Sequence, residues 1–282
     1  MRTPVVAFDD RIQLKLESLQ PIRSFKLRGA LNAMRAQPPQ DVVTASAGNM
    51  AQGVAWAARE LGVRARIVAP EHAPRAKLDR VEALGGEVLL VPHEVWWQTM
   101  VDRGHPDVDG LFVHPVEDEL VMAGNGTIGL ELLEDDDDFE TIVIPWGGGG
   151  LTSGIASAVK ASRPDVKVVT AEPETAAPLA ASFAAGEPVA VDFAPSFVDG
   201  AGGRAILPTM WPRAQELVDE AVAVPLDEVR EALRLLAADV GVVAEGAGAL
   251  ALAVALKRHD RCVAIVSGAN IDLDVYAAIL AG

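Results

Sequence analysis

Short apolar runs alternate along this chain with longer stretches whose apolar residues recur every three or four positions. The runs at 42–44, 66–68, 88–91, 111–113, 141–144, 166–171, 221–224 and 263–266 predict strands. Helical spacing predicts helices over 50–61, 75–84, around Trp96, over 127–133, 152–161, 226–238 and 247–256, and from Asp274 onward. Strands that lack polar alternation are buried on both faces, as parallel strands are. Regular strand–helix alternation therefore predicts an α/β fold with mainly parallel sheets. The strands outnumber one comfortable sheet layer. Two lobes with a cleft between them are expected, a small one over 41–120 and a large one from 1–40 and 121–282. The stretch 191–208, with Pro195, Gly200, Gly202, Gly203 and Pro208, reads as a long loop, and such loops are often functional.

Composition narrows the picture. Half of the 282 residues are apolar but only 5% are aromatic, so Ala, Val and Leu must fill the core. A net charge of −16 argues against a nucleic-acid partner, which needs Lys and Arg patches. The single cysteine, Cys262, sits in an apolar run, so no disulfide within the chain and no cysteine zinc site is expected. No apolar stretch reaches the ~18 residues that span a bilayer. Met1-Arg2-Thr3-Pro4 opens without an apolar signal-like segment, and a cytoplasmic setting is expected. The acidic run from Asp135 to Asp138 reads as a solvated loop rather than a metal site. His72, His93, His105, His114 and His259 are scattered without ligand spacing and read as surface or core residues.

Two features carry candidate chemistry. Gly147, Gly148, Gly149 and Gly150 follow a predicted strand and open a predicted helix at Leu151. Glycine lets backbone N–H groups approach an anion, and the helix start adds positive potential, so the run is either a phosphate cradle or a plain flexible turn. No lysine follows it as in a P-loop, and it has no clear dinucleotide fingerprint. The second feature is Lys26, in Ser24-Phe25-Lys26-Leu27-Arg28-Gly29-Ala30. Alone, such a lysine is usually a solvated charge.

Five ordered stretches change that reading. They are Leu19-Gln20-Pro21 running into 24–30, Ser46-Ala47-Gly48-Asn49 with Ala51-Gln52-Gly53, Ala123-Gly124-Asn125-Gly126-Thr127, the glycine run with Leu151, and Ser267-Gly268-Ala269-Asn270. Asp199-Gly200 and Glu245-Gly246-Ala247-Gly248-Ala249 are weaker echoes. Together they resemble the fold-type II pyridoxal-phosphate (PLP) enzymes, specifically the threonine/serine dehydratase and serine racemase group. The resemblance implies a two-lobe α/β fold like that of the tryptophan synthase β chain, with PLP between the lobes. It implies that Lys26 holds PLP as a Schiff base and, once released, takes the substrate's α-proton. Phe25 would pack on the ring and Asn49 would meet its 3′ oxygen. Gly147 to Gly150, with Leu151, would hold the phosphate. Gly200 and Glu245 would line the cofactor site, and Ser267 would bond the pyridine nitrogen. Ser46, Ala47, Gly48 and Asn49 would grip the substrate carboxylate. A hydroxyl on the ring nitrogen makes a weaker electron sink than a carboxylate, which suits β-elimination. The implied reaction converts a β-hydroxy amino acid such as threonine or serine to a 2-oxo acid and ammonia. A homodimer is expected from the resemblance.

The chain departs from that pattern in places. Met50 stands where the group commonly has His, and Arg23 where it commonly has Gly. Ala47 replaces the second acid–base serine of the racemases, which argues against racemisation. Glu172 and Ala176 match two positions of a cation site found in part of the group, but Pro178 replaces its second acid, so no metal is expected. The N-terminal segment and the stretch 96–109 are short, and no C-terminal regulatory domain is expected. The alternatives are elimination or replacement on another β-substituted amino acid such as hydroxyaspartate, a PLP- or amino-acid-binding protein with little turnover, or a nucleotide-binding protein that uses the glycines alone.

Overall fold

The structure, a computed structural model, describes residues 1–135 and 138–282. In chain order it begins with β1 (Val5–Ala7), β2 (Ile12–Leu16), α1 (Lys26–Arg35), β3 (Val42–Ala45), α2 (Asn49–Leu61), β4 (Ala65–Pro70) and α3 (Arg75–Ala83). It continues with β5 (Gly86–Val91), α4 (His93–Asp102), β6 (Leu111–Phe112), α5 (Glu119–Asp135), β7 (Thr141–Pro145), α6 (Gly150–Ser162) and β8 (Lys167–Pro173). The last elements are α7 (Pro178–Ala185), α8 (Trp211–Leu217), β9 (Glu220–Val224), α9 (Leu226–Leu235), α10 (Gly246–Ala255), β10 (Cys262–Val266) and α11 (Leu273–Ala281). A π-helical turn at Leu236–Val240 follows α9.

The chain divides into two compact units, Met1–Arg23 with Gly126–Gly282, and Ser24–Asn125. The first holds a six-stranded sheet in the order β1-β2-β10-β7-β8-β9. Only β1 runs antiparallel to its neighbour in that sheet. Helix α10 is buried along its whole length, as an all-round apolar helix must be. The second unit holds a parallel four-stranded sheet in the order β5-β4-β3-β6. Its core joins Val42 and Ile67 of the sheet to Met50 and Val54 of α2. The α/β class with mainly parallel sheets is therefore as the sequence pattern predicts. Among the described residues, no helix is long and apolar enough to cross a membrane.

Several elements escaped the apolar pattern. Strand β2 carries Lys15, whose side chain is 0% exposed. Its ammonium donates to Glu131 at 2.6 Å and to the Thr3 carbonyl at 2.7 Å. A charged residue inside a strand hides that strand from any hydrophobicity reading, yet pairing within the unit makes its burial tolerable. The apolar pattern likewise does not predict the short helices α7 and α8. Helix α5 begins at Glu119 rather than at 127, because Gly124, Gly126 and Gly129 weaken its helical signature.

Those glycines serve close packing. A Cβ on Gly124 would lie 2.4 Å from the Arg28 carbonyl oxygen and 2.7 Å from the Asn32 Cβ, so α1 and the start of α5 touch backbone to backbone. On Gly126 it would lie 2.9 Å from the Gly154 carbonyl oxygen of α6. Gly124→Ala is expected to destabilise the protein by ~1–3 kcal/mol through overpacking. The check is a urea titration, in which the midpoint should fall while the slope stays unchanged.

The acidic run proves to be partly paired. Asp135 meets Arg2, and Asp138 meets Arg261, while Asp136 and Asp137 lie outside the described residues. Cys262 is buried, and burial pushes its thiol up to about 11, so it is held as an unreactive thiol.

Candidate active site

In the unit Ser24–Asn125, Lys26 is the first residue of α1. The backbone N–H of Arg28 bonds the Phe25 carbonyl at 2.9 Å and closes the first turn. The Lys26 side chain folds back so that Nζ lies 5.2 Å from the centre of the Phe25 ring. Nζ donates a 2.8 Å hydrogen bond to the carbonyl oxygen of Pro115. Desolvation by burial lowers the Lys26 pKa to about 8, against 10.5 for a free lysine. That shift makes the neutral amine about 300-fold more abundant at pH 7 than in a solvated lysine. Helix α2 packs against the same turn through Gly53, whose Cβ would sit 3.1 Å from the Lys26 carbonyl oxygen.

The predicted carboxylate grip lies between β3 and α2. Ser46 Oγ accepts the N–H of Gly48 at 3.2 Å, which shapes the turn, and Asn49 opens α2. Residues Ser46, Ala47, Gly48 and Asn49 are all half-buried. A helix start that follows a strand in this way presents N–H groups to an anion. Met50, where the resembling group commonly has His, is 2% exposed and belongs to the apolar core of α2. A polar ring there would have to be buried among alkyl groups.

One residue near Lys26 reads from the sequence only as a scattered surface or core histidine. His114 follows β6 and is 4% exposed. Its Nδ1 accepts the backbone N–H of Glu117 at 2.8 Å and of Val116 at 3.1 Å. Burial lowers its pKa to about 4, opposed by Glu117 and reinforced by Arg103 and Lys26, so the ring is neutral. His114-Pro115 following a strand was the only available clue, and it predicts nothing without the fold.

In the other unit, β7 runs into Trp146 and then the glycines, and α6 starts at Gly150. Gly149 has φ +95°, and a Cβ there would strike the Trp146 ring at 2.5 Å. Gly147 faces the 191–208 loop, where its Cβ would be 3.4 Å from the Gly200 carbonyl oxygen. The N–H of Gly202 bonds the Trp146 carbonyl at 2.7 Å and pins the two loops together. Gly148 and the cap of α6, continuing into Leu151, complete the run.

Glu245 caps α10 from an extended conformation and is 5% exposed. Its backbone N–H bonds the Gly268 carbonyl at 2.9 Å, and its carboxylate accepts the Asn270 N–H at 3.1 Å. A Cβ on Gly200 would lie 3.5 Å from the Glu245 carboxylate, and one on Gly268 only 2.4 Å from it. Ser267, 3% exposed, directly follows β10, the sheet neighbour of β7. The structure thus brings together Gly147, Gly200, Glu245 and the Ser267 turn at the carboxyl ends of parallel strands, where α/β folds bind ligands.

The departures have physical accounts. Arg23 has φ +56°, the left-handed region in which glycine is at ease, and its carbonyl accepts the Ala269 N–H at 2.8 Å. Glu172 is fully buried, and its two oxygens accept the N–H groups of Leu179 and Ala180 at 3.1 and 2.8 Å, so it caps α7. The Ala176 carbonyl is engaged by the Gly203 N–H at 3.2 Å.

Comparison with known proteins agrees with these features. A family model described as pyridoxal-phosphate dependent enzyme matches residues 2–268. The L-threonine ammonia-lyase of Thermotoga maritima is 39% identical over 280 residues, which cover 95% of this chain and 69% of that one. Among solved structures, maize serine racemase superposes with TM-score 0.88 at 30% identity, covering 99% of this chain and 91% of that one. The processed form of threonine deaminase isoform 2 from Solanum lycopersicum superposes with TM-score 0.88 at 31% identity, covering 100% and 88%. A match over residues 2–268, nearly the whole length, places this chain in the family of pyridoxal-phosphate dependent enzymes.

Proposed function

We propose that this chain is a threonine/serine ammonia-lyase, acting by α,β-elimination on a small β-hydroxy amino acid. The observation that carries the reading is the Lys26 amine, desolvated to a pKa of about 8 and held by the Pro115 carbonyl. The relatives named as threonine ammonia-lyase and threonine deaminase support it.

The residues fit PLP. At Gly149 a side chain would close the turn against Trp146, so only a bare backbone leaves its N–H groups open to a phosphate. Gly147, Gly148, Gly150 and Leu151 would complete that cradle. Phe25, Asn49, Gly200 and Glu245 would line the ring, and the Ser267 hydroxyl would meet its nitrogen. Bound PLP supplies an electron sink for the pair left at the substrate's α-carbon.

The chain's own groups do the rest. The turn Ser46, Ala47, Gly48 and Asn49 orients the substrate carboxylate through backbone N–H groups. Lys26 Nζ, neutral, takes the α-proton and becomes an ammonium. The Cβ–O bond then breaks, and the departing hydroxyl takes a proton from that ammonium and leaves as water. The released enamine hydrolyses to a 2-oxo acid and ammonia. Ala47 carries no acid–base group, so return of a proton from the opposite side is disfavoured. Action in the cytoplasm as a homodimer, without a metal, belongs to the same reading.

The test is a 2-oxo acid assay across L-threonine, L-serine and hydroxyaspartate, on protein that shows visible PLP absorbance. Turnover of threonine or serine supports the proposal. Turnover of hydroxyaspartate alone replaces it with the neighbouring elimination, and no turnover on any of the three leaves a binding protein. One pH dependence follows from the amine. Its neutral form is the competent one, so kcat should rise with pH along a limb centred near 8 and fall about tenfold per unit well below it. A pH–kcat profile flat from 6 to 9 would count against Lys26 as the base.

A further inference from the structure

We propose that His114 is a positioning residue for Lys26, acting through the main-chain carbonyl of Pro115. The inference rests on the ammonia-lyase reading and names a device within that site. The Pro115 carbonyl and the Val116 N–H belong to one planar peptide unit, in which the two groups point in opposite directions. His114 Nδ1 holds the N–H end of that unit at 3.1 Å, and it also holds the next N–H, of Glu117, at 2.8 Å. With the N–H end fixed, the carbonyl end is aimed, and it meets Lys26 Nζ at 2.8 Å. Proline leaves residue 115 without an N–H of its own.

The device needs an unprotonated Nδ1. A charged ring would lose both acceptor bonds and place a second cation near Lys26. The ring is 4% exposed and neutral, with Glu117 at 3.7 Å from Nε2 and with Asp118 and Arg103 as the other nearby charges. The consequence concerns the proton. After taking the α-proton, the Lys26 ammonium must keep its aim until it hands that proton on. A fixed carbonyl acceptor restricts the side chain to one geometry, whereas a loose carbonyl lets it wander. Misplacement of a reacting group costs up to ~10²-fold in rate.

The test compares three holoenzyme variants. His114→Asn puts an acceptor near the place of Nδ1, His114→Gln puts it one methylene farther out, and His114→Leu has none. For Leu and Gln, kcat should fall at least about tenfold with KM within about twofold. The pH midpoint of the visible cofactor band, which reports the surroundings of the Lys26 nitrogen, should move as well. Asn should restore most of both. A merely structural histidine would lower the melting temperature without this split between kcat and KM. If Leu does not fold, the Asn and Gln pair decides alone. Gln matching Asn in kcat and in the band midpoint overturns the proposal. A wild-type enzyme that shows the band but turns over none of the three amino acids overturns the ammonia-lyase reading instead, and the band midpoints still report on His114.

Discussion

Lys26→Ala is expected to lower turnover by about 10⁴-fold or more, because one side chain supplies both the cofactor attachment and the proton transfer. The folded state should survive. Lys26 occupies the first turn of α1, where alanine is a good helix former, and its ammonium contributes one hydrogen bond to a backbone carbonyl. Removing a desolvated cation also relieves a burial cost. The measurement is 2-oxo acid release together with the visible spectrum and the melting temperature. Loss of turnover and of the absorbance above roughly 400 nm, in a protein that still unfolds cooperatively, is the expected pattern. A variant that keeps the band and a tenth of the activity would remove the lysine from the mechanism.

Gly149→Ala carries the second-largest effect. The residue is in the left-handed region at φ +95°, which costs an L-residue about 1–2 kcal/mol. In addition the new methyl would lie 2.5 and 2.8 Å from two Trp146 ring carbons and 3.1 Å from the Met210 terminal carbon. Trp146 is itself 1% exposed, and its backbone is tied to β8 through the Ala171 carbonyl at 2.9 Å, so it cannot easily give way. The loop must move instead, and the N–H groups it presents move with it. Loss of two charge-assisted hydrogen bonds of about 1.5–3 kcal/mol each implies a rise of at least about 10²-fold in the cofactor dissociation constant. Equilibrium dialysis against PLP reads that constant. Unchanged affinity would show that the glycine run is a turn and not a cradle.

Much of the fold was legible because parallel strands are short, apolar and separated by helical spacing. β3, β4, β7 and β10 all show that signature. The glycine run and Lys26 were legible as chemistry only through the ordered set of motifs. The N-terminal β2 was not legible, since Lys15 interrupts its pattern and its compensating carboxylate, Glu131, lies on α5. The start of α5 was obscured by glycines whose purpose is contact with α1 and α6.

The one-dimensional pattern determined the α/β class and the strand that leads into the glycines, because these depend on neighbours a few residues apart, whereas Lys26 was singled out only by motifs ordered along nearly the whole chain. Tertiary structure decided the rest. It lowered the Lys26 pKa by burial, set the Pro115 carbonyl against its ammonium, and made His114 a buried, neutral acceptor. It also turned Glu172 into a helix cap. The Lys26–Pro115 contact joins residues 89 positions apart, and the hydrogen bonds of His114 and Glu172, though short in sequence, matter only because the fold buries both side chains, which no local spacing encodes.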